Sequence, residues 1–372
     1  MHIVIVGGGI VGTAIASRLG PTDHDVTLIE RSRIGTETTA ASAGLLMRTA
    51  VDPEPFDLRF RNRAHEAYRP LFEGGDLEAD RIGIVYVAET VTFAERLENS
   101  AATLREHGTD ASFLEPAELA EFGIEPAGLE GGLYTPDDRI CDPTAVANWF
   151  ADRARETGVD VRTGVSVTDV ETRSGAVSAV DTDAGRLEAD RVVNATGPWA
   201  PELNELVGVS LPLCHTRGPM VALDCREPLE CPTAIFESKR YVRPAGETGA
   251  WIGAYRTEYV EGQRYDLRDR SLPEGFAESV TALETAVPAL EGASVVDEWV
   301  GYRTVTPDGR PIVGETAVDG YLVAVGMTGK GITLAPAVAD VVREMLADEV
   351  DPEVRRRLSP DRFRDDRTER TR

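Results

Sequence analysis

Lysine is almost missing from this chain. Of 39 basic residues only two, Lys239 and Lys330, are lysine and the rest are arginine, against 64 acidic residues and a formal charge of −25. With acidic residues so far in excess, the basic patches that would displace counterions from nucleic acid or hold anionic lipid are not expected, so neither is an expected partner. An excess of carboxylates with lysine stripped out is the composition of a protein adapted to molar salt, where a Debye length of about 3 Å screens self-repulsion. Cysteine is scarce too. Cys141, Cys214, Cys225 and Cys231 show no CxxC pair and no histidine at zinc-finger spacing. Buried, idle thiols in a reducing compartment are expected rather than a metal site. No apolar run approaches the ~20 residues that span a bilayer. The opening MHIVIVGGG runs into a strand rather than through a basic segment to a cleavage site, so a cytoplasmic protein without a membrane span is expected.

What is present is an apolar content of 42% over 372 residues, enough for two packed domains. HIVIV (2–6) is a short β-branched run suited to a buried parallel strand. IVGTAIASRLG (10–20) has helical spacing and stops at Gly20 and Pro21. DVTLIE (25–30) is a second strand. Between the first strand and the helix lie Gly7, Gly9 and Gly12 in GxGxxG register. The first glycine permits the turn, the second lets backbone approach a pyrophosphate, and the third lets helix and strand pack, with the helix N-terminus aimed at the phosphates. Ile10 and Val11 belong to the same turn. Glu30 closes the second strand, where a carboxylate accepts hydrogen bonds from ribose hydroxyls, with Arg31 beside it. This context predicts a dinucleotide, and a carboxylate at that point disfavours NADP.

Beyond this unit, TETTAASAGLLMR (36–48) reads as opening towards a helix. A charged helix is expected over 57–72, a strand over 82–88, helices over 90–107 and 116–122, and a turn-rich passage over 131–143. A helix capped by Asp142 follows, then a β-meander and a strand near 191–199. From 211 to 305 a large antiparallel sheet with one helix near 275–287 is expected. A strand, a glycine loop and a helix then fill 319–346. The residues 351–372 are expected to form a charged C-terminal tail that frays at its end.

Several of these segments carry a resemblance. GTETTAASAGLL (35–46), GVSVTDVE, VVNATGPWAPEL, WVGYRTVTPDGRPIVGET, VAVGMTGKGITLAPAVADVV and LSPDRF occur in the order found in the FAD-dependent D-amino-acid oxidase superfamily. The chain most closely resembles its glycine oxidase branch. The resemblance implies an α/β fold: a glutathione-reductase-like, Rossmann-type FAD-binding domain (1–50, 135–210 and 306–350) with an interleaved sheet-rich α+β substrate domain (51–134 and 211–305). It assigns Thr38, Thr39, Ala43, Gly44 and Leu45 to the flavin, Val167 to the adenine, and Gly197 and Trp199 to the cofactor. The loop and helix start at Thr328, Gly329, Lys330, Gly331, Ile332 and Thr333 meet the isoalloxazine, where a helix dipole stabilises an anionic reduced ring. No cysteine lies in the C-terminal part of the FAD signature, and His2 and His24 are poorly placed for a link, so non-covalent FAD is expected.

The same resemblance implies oxidation of the C–N bond of a small amino acid or N-methyl amino acid, with hydride passing from Cα to flavin N5. Alternatives are a 2-hydroxy-acid dehydrogenase and a flavin-binding subunit of a larger dehydrogenase. The electron acceptor is O₂ or another carrier, and a homo-oligomer is compatible with the sequence. Arg303 stands where the family clamps a substrate carboxylate, a role suited to the planar guanidinium. Tyr241 lies where relatives set a polar residue over the substrate. Where glycine oxidases carry an arginine that helps hold the carboxylate, this chain has Gly329. Arg48 could reach the same site, whereas Lys239 and His215 are weaker candidates. Lys330 stands out without any family: a lysine kept between two glycines, in a chain that otherwise uses arginine, suits a positive charge near the flavin or an anionic substrate.

Overall fold

A computed structural model describes residues 1–363 and, for 277–281, the backbone alone. The β-branched run His2–Val6 lies inside a six-stranded sheet. The spatial order is Ile312–Glu315, Tyr321–Val325, Arg191–Asn194, His2–Val6, Asp25–Glu30 and Asp160–Thr163. All neighbours are parallel except the edge strand Ile312–Glu315. Both faces of the first strand are buried, which is why it reads as an unbroken apolar run. Ile3 and Ile5 join a core with helices Ile10–Leu19, Pro143–Glu156 and Gly331–Leu346. Val4 and Val6 turn the other way, onto Val170, Val177 and Val180 of the three-stranded meander Val167–Glu188. Asp142 caps its helix as expected, accepting from the N–H groups of Thr144 and Ala145 at 2.8 and 3.1 Å.

A second sheet has eight strands, in the order Ser294–Val305, Cys214–Asp224, Gly249–Ala254, Arg240–Ala245, Thr233–Phe236, Ile84–Ala88, Gly131–Thr135 and Ser112–Leu114. It is antiparallel apart from the pairing of Thr233–Phe236 with Ile84–Ala88. One face is closed by the helix Phe276–Ala286, with Val221, Val242, Ile252, Phe276 and Leu283 in one cluster. The other face presents Met220, Ile235, Tyr241, Trp251 and Trp299 towards Ala43 and Met47 of the segment after the second strand. The two large sheets thus leave a seam between them, and two small three-stranded sheets complete the fold.

The sequence expectations depart from the structure in four places. Residues 36–48 do not open a helix: turns run through Ser42 to a two-residue strand, Leu45–Leu46, paired with Arg139–Ile140. The passage 131–143, expected as turns, contains the ordered strand Gly131–Thr135, whose glycines admit the close approach of Leu114 and Tyr86 backbone. Residues 351–363, expected only as a charged tail, are helical, with Asp351 capping Pro352–Leu358 and a 3₁₀ turn over Pro360–Phe363; the end expected to fray, positions 364–372, lies outside the described residues. The helix Pro55–Glu73, grouped above with the second sheet, instead buries Phe56, Phe60, Ala64 and Tyr68 in the core of the first. Its Tyr68 hydroxyl donates to Ile332 O at 2.7 Å and braces the start of the helix Gly331–Leu346.

Candidate active site

The seam holds a cavity of about 1250 Å³ that runs from the first glycine turn to the face of the eight-stranded sheet. At one end the backbone of Gly7, Gly8 and Gly9, with Ile10 and Val11, forms its wall. Gly7 has φ +114°, and a Cβ there would lie 2.5 Å from Ala195 O. The helix that follows has no acidic residue in its first turn and no cap from its own N-cap residue, and its positive end faces the cavity. Ile10 N–H donates to Thr39 Oγ1 at 3.0 Å. Glu30 is buried on this wall and already accepts from Gly8 N–H at 2.7 Å and from Ser32 N–H and hydroxyl at 2.8 and 2.9 Å. A carboxylate offers about four lone-pair sites, so the residue can fix the glycine turn and still accept from a ribose hydroxyl. Gly8 was not singled out by the motif, yet its Cβ would lie 2.6 Å from that of Glu30.

Most of the residues assigned from the sequence border this cavity. Arg31, Thr38, Thr39, Ala43, Leu45, Val167, Gly197 and Trp199 line its middle, with the Arg31 guanidinium 4.1 Å over the Trp199 ring. Thr328, Gly329, Lys330, Gly331 and Ile332 line the far end, as do Arg303 and Tyr241. Three assigned residues do not reach its surface and shape it from behind. Gly12 has no room for a Cβ, which would sit 1.9 Å from Gly7 O. Gly44, at φ +68°, packs against Cys141 O. Thr333 donates to Leu45 O at 3.0 Å and accepts from Met47 N–H at 3.2 Å, tying the last helix to the loop. Arg48 does not enter the cavity; its guanidinium bonds Gly108 O at 3.0 Å and pairs with Asp137. Lys239 pairs with Glu258 at the surface, and His215 Nε2 meets Pro198 O at 2.9 Å as a structural contact.

At the far end the floor is cleared by glycines in mid-strand. The Arg303 side chain lies over Gly218, where a Cβ would meet Nη1 at 2.4 Å, and against Gly329, where one would meet Cδ at 3.0 Å. Tyr241 lies over Gly253, its hydroxyl 2.7 Å from Met220 Sδ. Ala41 O approaches the strand at Gly301, and Trp299 Nε1–H donates to that oxygen at 3.3 Å. Isolated glycines inside strands mark such close approaches, and that signal could have drawn attention to Gly218 and Gly253. Arg303 makes one long bond, to Arg217 O at 3.5 Å, and no ion pair among the described residues. Burial pulls its pKa down, opposed only by the phenols of Tyr241 and Tyr255, and burial raises both phenols so that they stay neutral. Tyr255, Tyr86 and Arg61 also line this end and escaped the sequence reading.

Lys330 is turned towards the turn at Gly309, donating to Gly309 O at 3.2 Å. Burial depresses its pKa to about 8, with Arg61 lowering it further and Asp57 opposing. Thr328 (φ 49°) and Gly329 (φ 77°) are consecutive left-handed residues, and Thr328 N–H is held by Thr304 O at 3.0 Å. This turn brings Lys330 and Arg303 to one cavity.

Among the described residues no helix is long and apolar enough to cross a membrane. The model of the family described as FAD dependent oxidoreductase (DAO) matches residues 2–345. Glycine oxidase of Bacillus licheniformis is 26% identical over 354 residues, 92% of each chain. The crystal structure of glycine oxidase from Geobacillus kaustophilus, 27% identical, superposes with a TM-score of 0.81 over 94% of this chain and 95% of that one. L-proline dehydrogenase from P. horikoshii shares the fold at a TM-score of 0.89 and 23% identity, covering 98% and 97% of the two chains. A glycine-lined cradle on a helix N-terminus, a buried carboxylate beside it and an elongated seam fit an extended dinucleotide, and the chain belongs to the FAD dependent oxidoreductase (DAO) family.

Proposed function

We propose that this flavoenzyme oxidises the C–N bond of a small amino acid or N-methyl amino acid, with Arg303 as the carboxylate clamp. The observation that carries the reading is the state of Arg303: half-buried on a glycine-cleared floor, facing the cavity, and paired with no carboxylate among the described residues. A guanidinium so placed costs free energy unless an anion completes it, and a planar carboxylate matches its fork. The relatedness to glycine oxidases supports an amine-bearing carboxylate.

In this reading the first glycine turn and Glu30 hold the adenosine and pyrophosphate, residues 38–45 hold the ribityl chain, and the start of the helix Gly331–Leu346 faces the ring. FAD, when bound, supplies the two-electron acceptor. Arg303 fixes the carboxylate, and Tyr241 and Tyr255 give a neutral, largely dry wall against which the amine side of the substrate lies. The chain's contribution is orientation and exclusion of water. No cysteine or histidine is among the residues lining the cavity, which supports a non-covalent cofactor. The test is anaerobic bleaching of the yellow holoenzyme by D-amino acids, sarcosine, glycine and 2-hydroxy acids. Bleaching by amino acids is expected; bleaching by hydroxy acids alone refutes the substrate class.

A further inference from the structure

The substrate end of the cavity has a second cation, and it too is paired with no carboxylate among the described residues. Arg61 comes from the helix Pro55–Glu73 and lines the same cavity. Its guanidinium bonds Thr49 O and forms no ion pair among the described residues. The two nearest carboxylates are engaged elsewhere. Asp57 is held by Arg310, at 2.8 and 3.1 Å, and Asp138 lies inside the fold, accepting from Thr135 hydroxyl and from the N–H groups of Arg48 and Thr49. Lys330 adjoins Arg61 and adds positive charge on that side. Two phenols line the same cavity as Arg61 and Arg303. Tyr86 is the neighbour of Arg61, Tyr255 is the neighbour of Arg303, and the two hydroxyls share a hydrogen bond.

From this arrangement we infer that Arg61 forms a second anion subsite, so that the site takes an amine flanked by two carboxylates: an imino diacid or an amino dicarboxylic acid. The inference rests on the amine-oxidising function proposed above and names its substrate class. A single carboxylate at Arg303 leaves the half-buried Arg61 guanidinium with no directly paired anion, only Asp57 and Asp138 at longer range, and an incompletely compensated charge there is costly. A diacid completes both ends and lays its central amine across the Tyr86–Tyr255 pair. Arg61 is not needed to hold its own helix, whose buried face is the row Phe56, Phe60, Ala64 and Tyr68.

The first experiment needs no variant. The FAD-loaded enzyme is titrated with acids that cannot be oxidised, succinate and glutarate against butyrate and valerate, and the visible flavin band reports binding. The diacids are expected to bind at least about tenfold more tightly than the monoacids of equal length. Arg61→Gln should abolish that advantage and leave monoacid affinity alone, Arg61→Lys should keep part of it, and Arg303→Gln should weaken both classes. Equal affinity for mono- and diacids in the native enzyme overturns the subsite, as does equal weakening of both classes by Arg61→Gln. In anaerobic bleaching, iminodiacetate and D-aspartate are expected to outpace sarcosine and D-alanine. If the monocarboxylates are as fast, the subsite fails and the amine-oxidising function stands. If no amine bleaches the flavin, that function fails, and the binding titration still decides the subsite.

Discussion

Replacing Lys330 by methionine should make the cofactor-free protein more stable, and by an amount that depends on pH. Lys330 is held at about 8 in the fold against 10.5 in the unfolded chain, chiefly by burial. At 1.36 kcal/mol for each tenfold change in proton affinity, keeping the ammonium charged costs the fold about 3 kcal/mol at neutral pH. Two terms reduce the expected gain. The side chain keeps some solvent contact, and the bond to Gly309 O is lost, worth about 1 kcal/mol. The net expectation is a stabilisation of about 1–2 kcal/mol at pH 7, seen as a rise of about 1–3 °C in Tm. The sign follows from linkage. Because the folded pKa is the lower one, the cost is full below pH 8 and shrinks as the folded lysine releases its proton ahead of the unfolded one. It vanishes above 10.5. Thermal melts of native and Lys330→Met protein stripped of FAD, at pH 7, 9 and 10.5, should therefore converge as pH rises. A Lys330→Met protein less stable at pH 7, or a difference unchanged by pH, would refute the reasoning. A residue that destabilises the fold yet lines the cavity suits a functional position.

Other outcomes follow from the same geometry. Gly12→Ala should purify nearly colourless, with the ratio of flavin to protein absorbance down about tenfold or more, because its Cβ would sit 1.9 Å from Gly7 O and must displace the phosphate turn. Gly218→Ala should leave FAD content intact but lower kcat/KM for an amine-bearing carboxylate, since the new methyl occupies the space of the Arg303 guanidinium. Arg303→Gln should lower kcat/KM by about 10²–10³-fold, the loss that goes with about 3–5 kcal/mol for breaking a buried ion pair. With a net charge of −25, Tm should rise between dilute buffer and molar KCl; a flat profile would show that self-repulsion does not limit stability.

Local interactions explain what could be read ahead of the structure. The first glycine turn, Glu30, the Asp142 cap and the helix after Lys330 are each specified within a few residues, by glycine stereochemistry, by a capping carboxylate or by apolar spacing. The segment 36–48 was misread because its small residues suit a helix taken alone. In the fold Ala43 and Met47 face the second sheet, Gly44 meets Cys141 O, and Thr333 of the helix Gly331–Leu346 holds the backbone of Leu45 and Met47. Gly131 and Gly132 looked like turn residues for a similar reason. They are strand residues left without side chains because Leu114 and Tyr86 backbones come too close.

The sequence by itself determined that a dinucleotide unit opens the chain, that Arg303 and Lys330 were residues to watch, and, through its resemblance, that the dinucleotide is FAD. Those signals are short patterns whose meaning survives without neighbours. Only the tertiary structure decided what surrounds Arg303, because that depends on strands far apart in the chain. Gly218 clears the floor beneath it, Tyr241 and Tyr255 wall it, and a helix from another layer brings Arg61 to the same cavity. It also decided that Arg48, adjacent in sequence to the flavin loop, points elsewhere, since the direction of a side chain is set by packing rather than by order along the chain.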